Sequence, residues 1–465
     1  MKQRIAYILL AMLFTSICGR AQETTSQELG EEEIIKTGWN IGILPVVGYD
    51  SDLGFQYGIC SDIFHYSLGH YPQYDFKVNL EASRYTKGSS VLRSYGEFKN
   101  LIPEGKFFYD VTYFSAPKFE FYGLNGKASP YLPGVAYVPR NYIVNLDRSV
   151  DMKIPVQEGF KSALYWMSRS QFRAVVSMQK KISGALNGTV GLAYYDIKTG
   201  RIDVDKLSGN DEEKKEWYDF QSTLYDMYCG EGLIPAEEAE GGHVTQLKAG
   251  LTYDSRNRDS DPTRGANVEL TFYAAPDFMD RTESYNHTNG GILFMGSQYL
   301  PVVGDKLTLA YRLGAQYTLF GHVPFYFCNN MNSMFFRKMY TEGLGGNASV
   351  RGIHRNGVIG DGFVLLNTEL RWRVFDFRFI NQNWGVALNP FFDCGQVIQP
   401  HNLEQQQMYK KPIYSGNTEA LHYTAGCGFK LVMNHNMVIS FEAAKALREN
   451  DGDGLWTNIG FNYLF

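Results

Sequence analysis

The sequence predicts one transmembrane β-barrel of sixteen antiparallel strands. Three observations predict it: apolar and polar residues alternate along almost the whole chain, long connections alternate with tight ones, and the chain closes on an aromatic strand. Composition removes the rivals. Aromatic residues make up 15% of the 465 residues, too many for a disordered chain. Mean hydropathy is only −0.28, too low for a helical membrane bundle with its runs of ~20 apolar residues. A barrel is half apolar, because lipid-facing and lumen-facing side chains alternate along each strand. The net charge of −5 comes from 44 basic and 49 acidic residues. No excess of positive charge points to nucleic acid as a partner.

The chain opens with Lys2 and Arg4, an apolar run from Ile5 to Phe14, and Cys18-Gly19-Arg20-Ala21. A charged start, a short apolar core and a small residue before the cut describe a secretory signal peptide over residues 1–21. The apolar run is too short to span a bilayer as a helix. A lipoprotein cut before Cys18 would want a small residue where Ile17 stands. Residues 22–38 then form a short periplasmic segment, and residues 39–465 form the barrel.

The alternation places strands at 39–49, 54–66, 73–85, 89–101, 106–118, 163–181, 184–198, 243–254, 264–276, 290–300, 305–320, 362–375, 384–397, 421–433, 437–447 and 455–465. In the twelfth, Val364, Leu366, Thr368, Leu370, Trp372 and Val374 oppose Asn367, Glu369, Arg371 and Arg373. In the ninth, Val268, Leu270 and Phe272 oppose Asn267, Glu269 and Thr271. Charges on the inner face suit a wet lumen and spoil a dry core. In the last, Thr457, Ile459, Phe461, Tyr463 and Phe465 share one face. The connections 103–105, 182–183, 302–304 and 434–436 are tight, whereas 119–162, 199–242, 321–361 and 398–420 are long. An even strand number then puts both ends of the barrel chain on the tight, periplasmic side. The acidic stretch 209–240 reads as a solvated outer loop, with or without a short helix.

Catalytic signatures are missing. Neither G-x-S-x-G nor H-E-x-x-H occurs, and the nine histidines are scattered. No C-x-x-C occurs among Cys60, Cys229, Cys328, Cys394 and Cys427, so spacing assigns no metal, no cofactor and no redox pair. A Cys229–Cys328 disulfide has no support. The sequence reading is therefore a non-enzymatic protein.

Three segments carry a resemblance. Gly345-Gly346-Asn347-Ala348-Ser349-Val350-Arg351-Gly352-Ile353 lies in the long connection before the twelfth strand. Phe391-Phe392-Asp393-Cys394-Gly395-Gln396-Val397 lies in the thirteenth. Tyr253-Asp254-Ser255-Arg256-Asn257-Arg258 runs on to Pro262-Thr263-Arg264-Gly265. They resemble, in order, the V-R-G-[FY] loop, the F-x-D-x-G-x-V strand and the D-x-R-x-N…P-x-x-G turn of the BamA/TamA outer-membrane family, the bacterial surface antigen barrels. Ile353 stands where that family has an aromatic. Phe121-Tyr122-Gly123-Leu124-Asn125-Gly126 is similar to a further family segment with its last residues altered. Gly460, Tyr463 and Phe465 resemble the C-terminal assembly signal of outer-membrane barrels.

The resemblance implies that loop 321–361 folds into the lumen and that Arg351 reaches acidic groups on the wall. The alternation turns Glu369 and Asp393 inward as its partners. A guanidinium can serve two carboxylates at once. Gly352 would permit close approach and Gly395 would leave room for the loop tip. Asp254, Arg256, Pro262 and Gly265 would build a structural periplasmic turn. The seam between first and last strands opens in family insertases. Pro45, Gly48 and Gly460 weaken strand pairing there, although the first true strand starting near Gly54 would explain Pro45 equally.

The function so implied is insertion or translocation of polypeptide, or lipid, at the outer membrane of a Gram-negative bacterium. Its partners would be outer-membrane lipid and lipopolysaccharide, unfolded outer-membrane or secreted polypeptides, and a separate periplasmic protein. That last partner is expected because residues 22–38 are too short for the POTRA domains family insertases carry. The alternative is a passive pore or a structural surface antigen.

Overall fold

In a computed structural model, the described residues are 37–68, 74–99, 101–129, 131–132, 134–137, 153–155, 161–258, 260–277, 287–334, 343–379, 382–403, 406–410, 412–433, 437–448, 451–452, 454–461 and 463–465. The expected signal peptide lies outside them. The strands are β1 Gly38–Asp50, β2 Gly54–Tyr66, β3 Phe76–Tyr85, β4 Ser90–Lys99, β5 Gly105–Glu120, β6 Val135–Tyr137, β7 Lys153–Pro155, β8 Trp166–Ser183, β9 Leu186–Gly200, β10 Gly241–Asp254, β11 Gly265–Ala275, β12 Asn289–Val303, β13 Leu307–Gly321, β14 Gly362–Phe379, β15 Gln382–Gln399, β16 His422–Met433, β17 Met437–Ala446 and β18 Trp456–Phe461. Strands β6 and β7 form a small hairpin of their own, and the other sixteen close an antiparallel barrel in which each pairs with its chain neighbour.

Side-chain direction follows the alternation. Phe272, Trp372 and Phe392 face outward, whereas Thr271, Glu369 and Asp393 are wholly buried on the inner face or nearly so. An outer wall of Ile, Leu, Val and aromatic residues around a charged interior has one compatible solvent, lipid. Full-length ladders between chain neighbours satisfy most backbone groups within the bilayer, and the β1–β18 closure is the short one.

Three details differ from the sequence reading. First, β14 and β15 run on to Phe379 and back from Gln382. The register slips between Arg373 and Phe375, so a bulge carries the hairpin past the expected end at 375. Second, the last strand stops at Phe461, not Phe465. Tyr463 is buried and leaves the outward face, because the Arg371 guanidinium lies 4.0 Å from its ring and donates to the Phe465 carbonyl oxygen at 2.7 Å. Third, the acidic stretch is no plain solvated loop. After a short helix α1 Val204–Ser208 just ahead of it, it forms α2 Glu212–Phe220, α3 Leu224–Gly230 and α4 Ala236–Ala239. Thr223 and Asp226 cap α3 reciprocally, and Leu224, Tyr228 and Ile234 are buried. Cys229 and Cys328 are both free thiols, in line with the lack of support for a disulfide between them.

The long connections pack together over one mouth of the barrel. Phe121, Leu124, Tyr165, Leu224, Tyr228, Phe325, Phe327, Tyr409 and Ile413 share one apolar cluster with Phe114 and Val91 of the wall. The acidic helices are thus the wet side of an apolar cap. Their buried faces carry too few residues to show a helical period in sequence.

Candidate functional site

The connection between β13 and β14 builds the site. Its first part descends along one wall. Asn330 and Asn332 use their carbonyls to accept from Gln316 and Lys248, at 3.0 and 3.1 Å. The Met334 amide and the Ser333 hydroxyl both donate to the Glu269 carboxylate, at 2.8 and 2.6 Å. Its second part, residues 343–361, crosses toward the opposite wall. There Leu344, Val350, Ile353 and Val358 pack with Phe363, Leu365 and Val397. Ile353 fills the place of the expected aromatic within that apolar set.

Arg351 is fully buried at the centre. Its Nε and Nη2 donate to the two Asp393 oxygens of β15 at 2.8 and 3.0 Å, and its backbone amide reaches Oδ2 at 3.1 Å. Nη1 serves Glu369 of β14 at 2.7 Å and Glu442 of β17 at 2.8 Å. The guanidinium carbon lies 3.5 Å from the Phe391 ring centroid, a cation–π contact in a desolvated place. Burial disfavours the charge, but Asp393, Glu442 and Glu369 outweigh it and hold Arg351 charged well beyond its ordinary range. Arg371 donates to Glu369 at 2.8 Å and Lys430 to Glu442 at 2.7 Å. Arg351, Arg371 and Lys430 therefore stand against Glu369, Asp393 and Glu442, three charges against three.

The glycines around Arg351 have steric reasons. Gly352 adopts φ +97°, and a Cβ there would sit 3.1 Å from Ala444 and 3.2 Å from the Lys445 amide. A Cβ on Gly395 would lie 3.2 Å from both Leu344 and Val350 of the loop. Sequence reasoning missed Glu442, Lys430 and Arg371 as members. Alternation alone marks Glu442 as inward, but nothing in the sequence links it to Arg351 91 positions away.

The loop tip also reaches the seam. His354 Nδ1 lies 2.9 Å from Asp52, and the Arg355 amide donates to the same carboxylate at 2.9 Å. Arg355, fully buried, places Nη2 3.3 Å from Asp50 at the end of β1. On the other side, Asn347 donates to Asn458 of β18 at 3.3 Å. The tip thus touches both strands of the seam.

That seam is short. β1 pairs with β2 at all thirteen positions, but among the described residues it pairs with β18 only at Tyr49–Ile459 and Asp50–Asn458. Ser51 and Thr457 extend it by one step, with Ser51 donating through its amide at 3.1 Å. Gly48 passes so close to β18 that a Cβ would lie 2.9 Å from the Ile459 carbonyl oxygen. At Gly460 the nearest contact would be 3.4 Å, so it has room to spare. Pro45 lies within β1, opposite Ile59, so the first strand does begin ahead of Gly54.

At the tight-turn end, Arg256 grips Asp254 with two hydrogen bonds of 2.9 and 2.8 Å. Asn257 Oδ1 accepts from the amides of Thr263 and Arg264, which closes the turn beside buried Pro262. Gly265 adopts φ +100°, where a Cβ would stand 2.2 Å from the Ser255 carbonyl oxygen. We predict that Gly265→Ala costs about 1–3 kcal/mol. It should unfold at a lower temperature in a heat-modifiability gel; unchanged heat stability would contradict this account of the turn.

Comparison with known proteins comes down to fold and family. CdiB from Escherichia coli has a similar structure, with TM-score 0.53 and 11% identity; the alignment covers 92% of this chain and 64% of CdiB. This chain therefore spans less than two thirds of CdiB. BamA from Haemophilus ducreyi lacking POTRA domains 1–3 aligns with TM-score 0.48 and 14% identity, over 92% of this chain and 71% of that one. No curated protein matches. The sequence profile of the Omp85 superfamily domain matches residues 139–463. That match covers well over half of the chain, which belongs to the Omp85 superfamily.

Proposed function

We propose that this barrel inserts or translocates polypeptide at the outer membrane of a Gram-negative bacterium, by opening the β1–β18 seam toward lipid. The observation that carries the reading is the disparity of pairing along β1. One edge is bonded over its whole length and the other over two residue pairs. Each ladder bond contributes roughly 0.5–1.5 kcal/mol net, so parting β1 from β18 costs far less than parting any full-length pair. The unpaired lower part of β1 presents backbone donors and acceptors that an incoming strand can bond.

The Arg351 loop acts as the lumen plug and as the brace of this seam. The long-loop end faces outside and the tight-turn end faces the periplasm. Outer-membrane lipid and lipopolysaccharide surround the barrel, and a separate periplasmic protein delivers the unfolded substrate. Depletion of the protein in cells tests the reading. We expect the amounts of many other outer-membrane proteins to fall. Unchanged amounts, together with a large steady conductance of the purified barrel in planar bilayers, would instead make it a passive pore.

A further inference from the structure

Away from the plug and seam, three potential ligands from separate stretches converge under the cap. Cys328 follows the short 3-10 turn Phe325–Phe327, Asp361 immediately precedes β14, and His401 follows β15. The Cys328 Sγ is 3.3 Å from His401 Nδ1 and 3.4 Å from Asp361 Oδ1, and the last two lie 2.7 Å apart. Cys328 and His401 are buried and Asp361 is half-buried.

Asp361 and His401 are held through their own backbone groups. The Asp361 amide donates to the Gln399 carbonyl at 3.0 Å, and the Asp361 carbonyl accepts from Thr318 of β13 at 3.1 Å. The His401 amide donates to Asn125 Oδ1, and Asn125 returns a bond to the His401 carbonyl, at 2.6 and 2.9 Å. Close by, His322 Nε2 bonds buried Glu238 at 2.6 Å, with its ring 5.4 Å from that of His401.

This is not the geometry of a nucleophile. A Cys–His–Asp relay needs thiol and carboxylate on opposite ring nitrogens, but here both meet Nδ1. Burial, with Asp361 and Glu238 nearby, also keeps the thiol protonated. A shared focus on one side of three ligands is what a cation needs. Ligand lengths of about 2.3 Å to sulfur and about 2.0–2.1 Å to nitrogen or oxygen put tetrahedral ligand–ligand edges at about 3.3–3.6 Å. Two edges here already match, and only the Asp361–His401 edge must open, by roughly half an ångström. A thiolate, an imidazole and a carboxylate together suit a borderline-soft ion better than calcium or magnesium.

We propose that Cys328, Asp361 and His401 form a zinc site. The ion pins the loop before β14 to the loop after β15 and so locks the outer cap, with solvent in the fourth position. Binding requires loss of the thiol proton, which the ion's own charge drives.

The test uses the folded full-length protein in detergent micelles, stripped with chelator and then dialysed against zinc. The wild type should retain a single zinc per chain. Replacing Cys328→Ser or His401→Ala should weaken zinc binding at least about tenfold, since even an outer partner of a ligand is worth about 10–100-fold. Heat-modifiable gel mobility reports whether each variant is folded. Cobalt on the wild type gives a second reading that needs no variant: a near-ultraviolet thiolate-to-cobalt band is expected. Absence of retained zinc in the wild type, absence of the cobalt band, or undiminished zinc in folded Cys328→Ser would each overturn the site.

Discussion

Replacing Arg351 with alanine is expected to lower the heat stability of the barrel sharply and to release residues 343–361 to protease. The cause is a charge imbalance in a fully buried place, with Arg351, Glu369 and Asp393 all shielded from solvent. Arg351, Arg371 and Lys430 bond three carboxylates, and removal of Arg351 leaves Glu369 bonded to Arg371, Glu442 to Lys430, and Asp393 with the more distant Arg312. Asp393 suffers most, because it loses its bidentate guanidinium and keeps only the backbone amide of residue 351 as a donor from the loop. Breaking a buried set by one member costs about 3–5 kcal/mol. Arg351→Lys should rescue only part of this, since an ammonium offers no planar fork. Arg351→Glu should be worse than alanine. The measurement is the temperature at which the folded band disappears in a heat-modifiability gel, paired with limited proteolysis of intact cells. Wild-type behaviour of Arg351→Ala in both would remove the network from the account.

The second large effect is expected at Gly345. Its φ is +139°, a conformation closed to residues with a side chain, and a Cβ would stand 2.0 Å from the His354 carbonyl oxygen. Gly345→Ala must therefore push the His354–Arg355 corner away. That corner carries the contacts to Asp52 and Asp50, so the loop should uncouple from β1 while the strand ladder stays intact. Backbone strain of this kind costs about 1–3 kcal/mol, with the lost buried contacts on top. Proteolysis within residues 343–361 should rise, and the heat-modifiable band should persist with reduced heat stability. A fully protected loop would contradict the steric argument.

Particular residues show why some of this was legible in sequence and some was not. Glu369 and Asp393 were readable as lumen residues because strand side chains alternate with a strict period of two, and their neighbours Trp372 and Phe392 are plainly apolar. The barrel is a repeated local rule, so its sixteen strands come out of sequence with errors of a few residues at their ends. Those errors have local causes: a bulge near Phe375 and the pull of Arg371 on Tyr463. Glu442, Lys430, Asp50 and Asp52 were invisible as partners because loop-to-wall contacts depend on where a non-repetitive chain crosses the lumen. The cap was misread for a related reason. Leu224, Tyr228 and Ile234 are few among many acids, and their burial depends on Phe325 and Phe121 from other loops. Cys328 and His401 carry no spacing signal, since 73 positions separate them.

The account stands on the claim that the barrel works by parting β1 from β18. Tyr49 and Ile459 are directly paired across that seam, at the separation of about 4.5–5.5 Å between opposed strand positions that a disulfide accepts. The double variant Tyr49→Cys with Ile459→Cys should therefore cross-link under oxidation and abolish support of outer-membrane protein assembly in cells. Reductant should restore it. Full activity in cells where the cross-link is shown to be complete would contradict the seam mechanism outright.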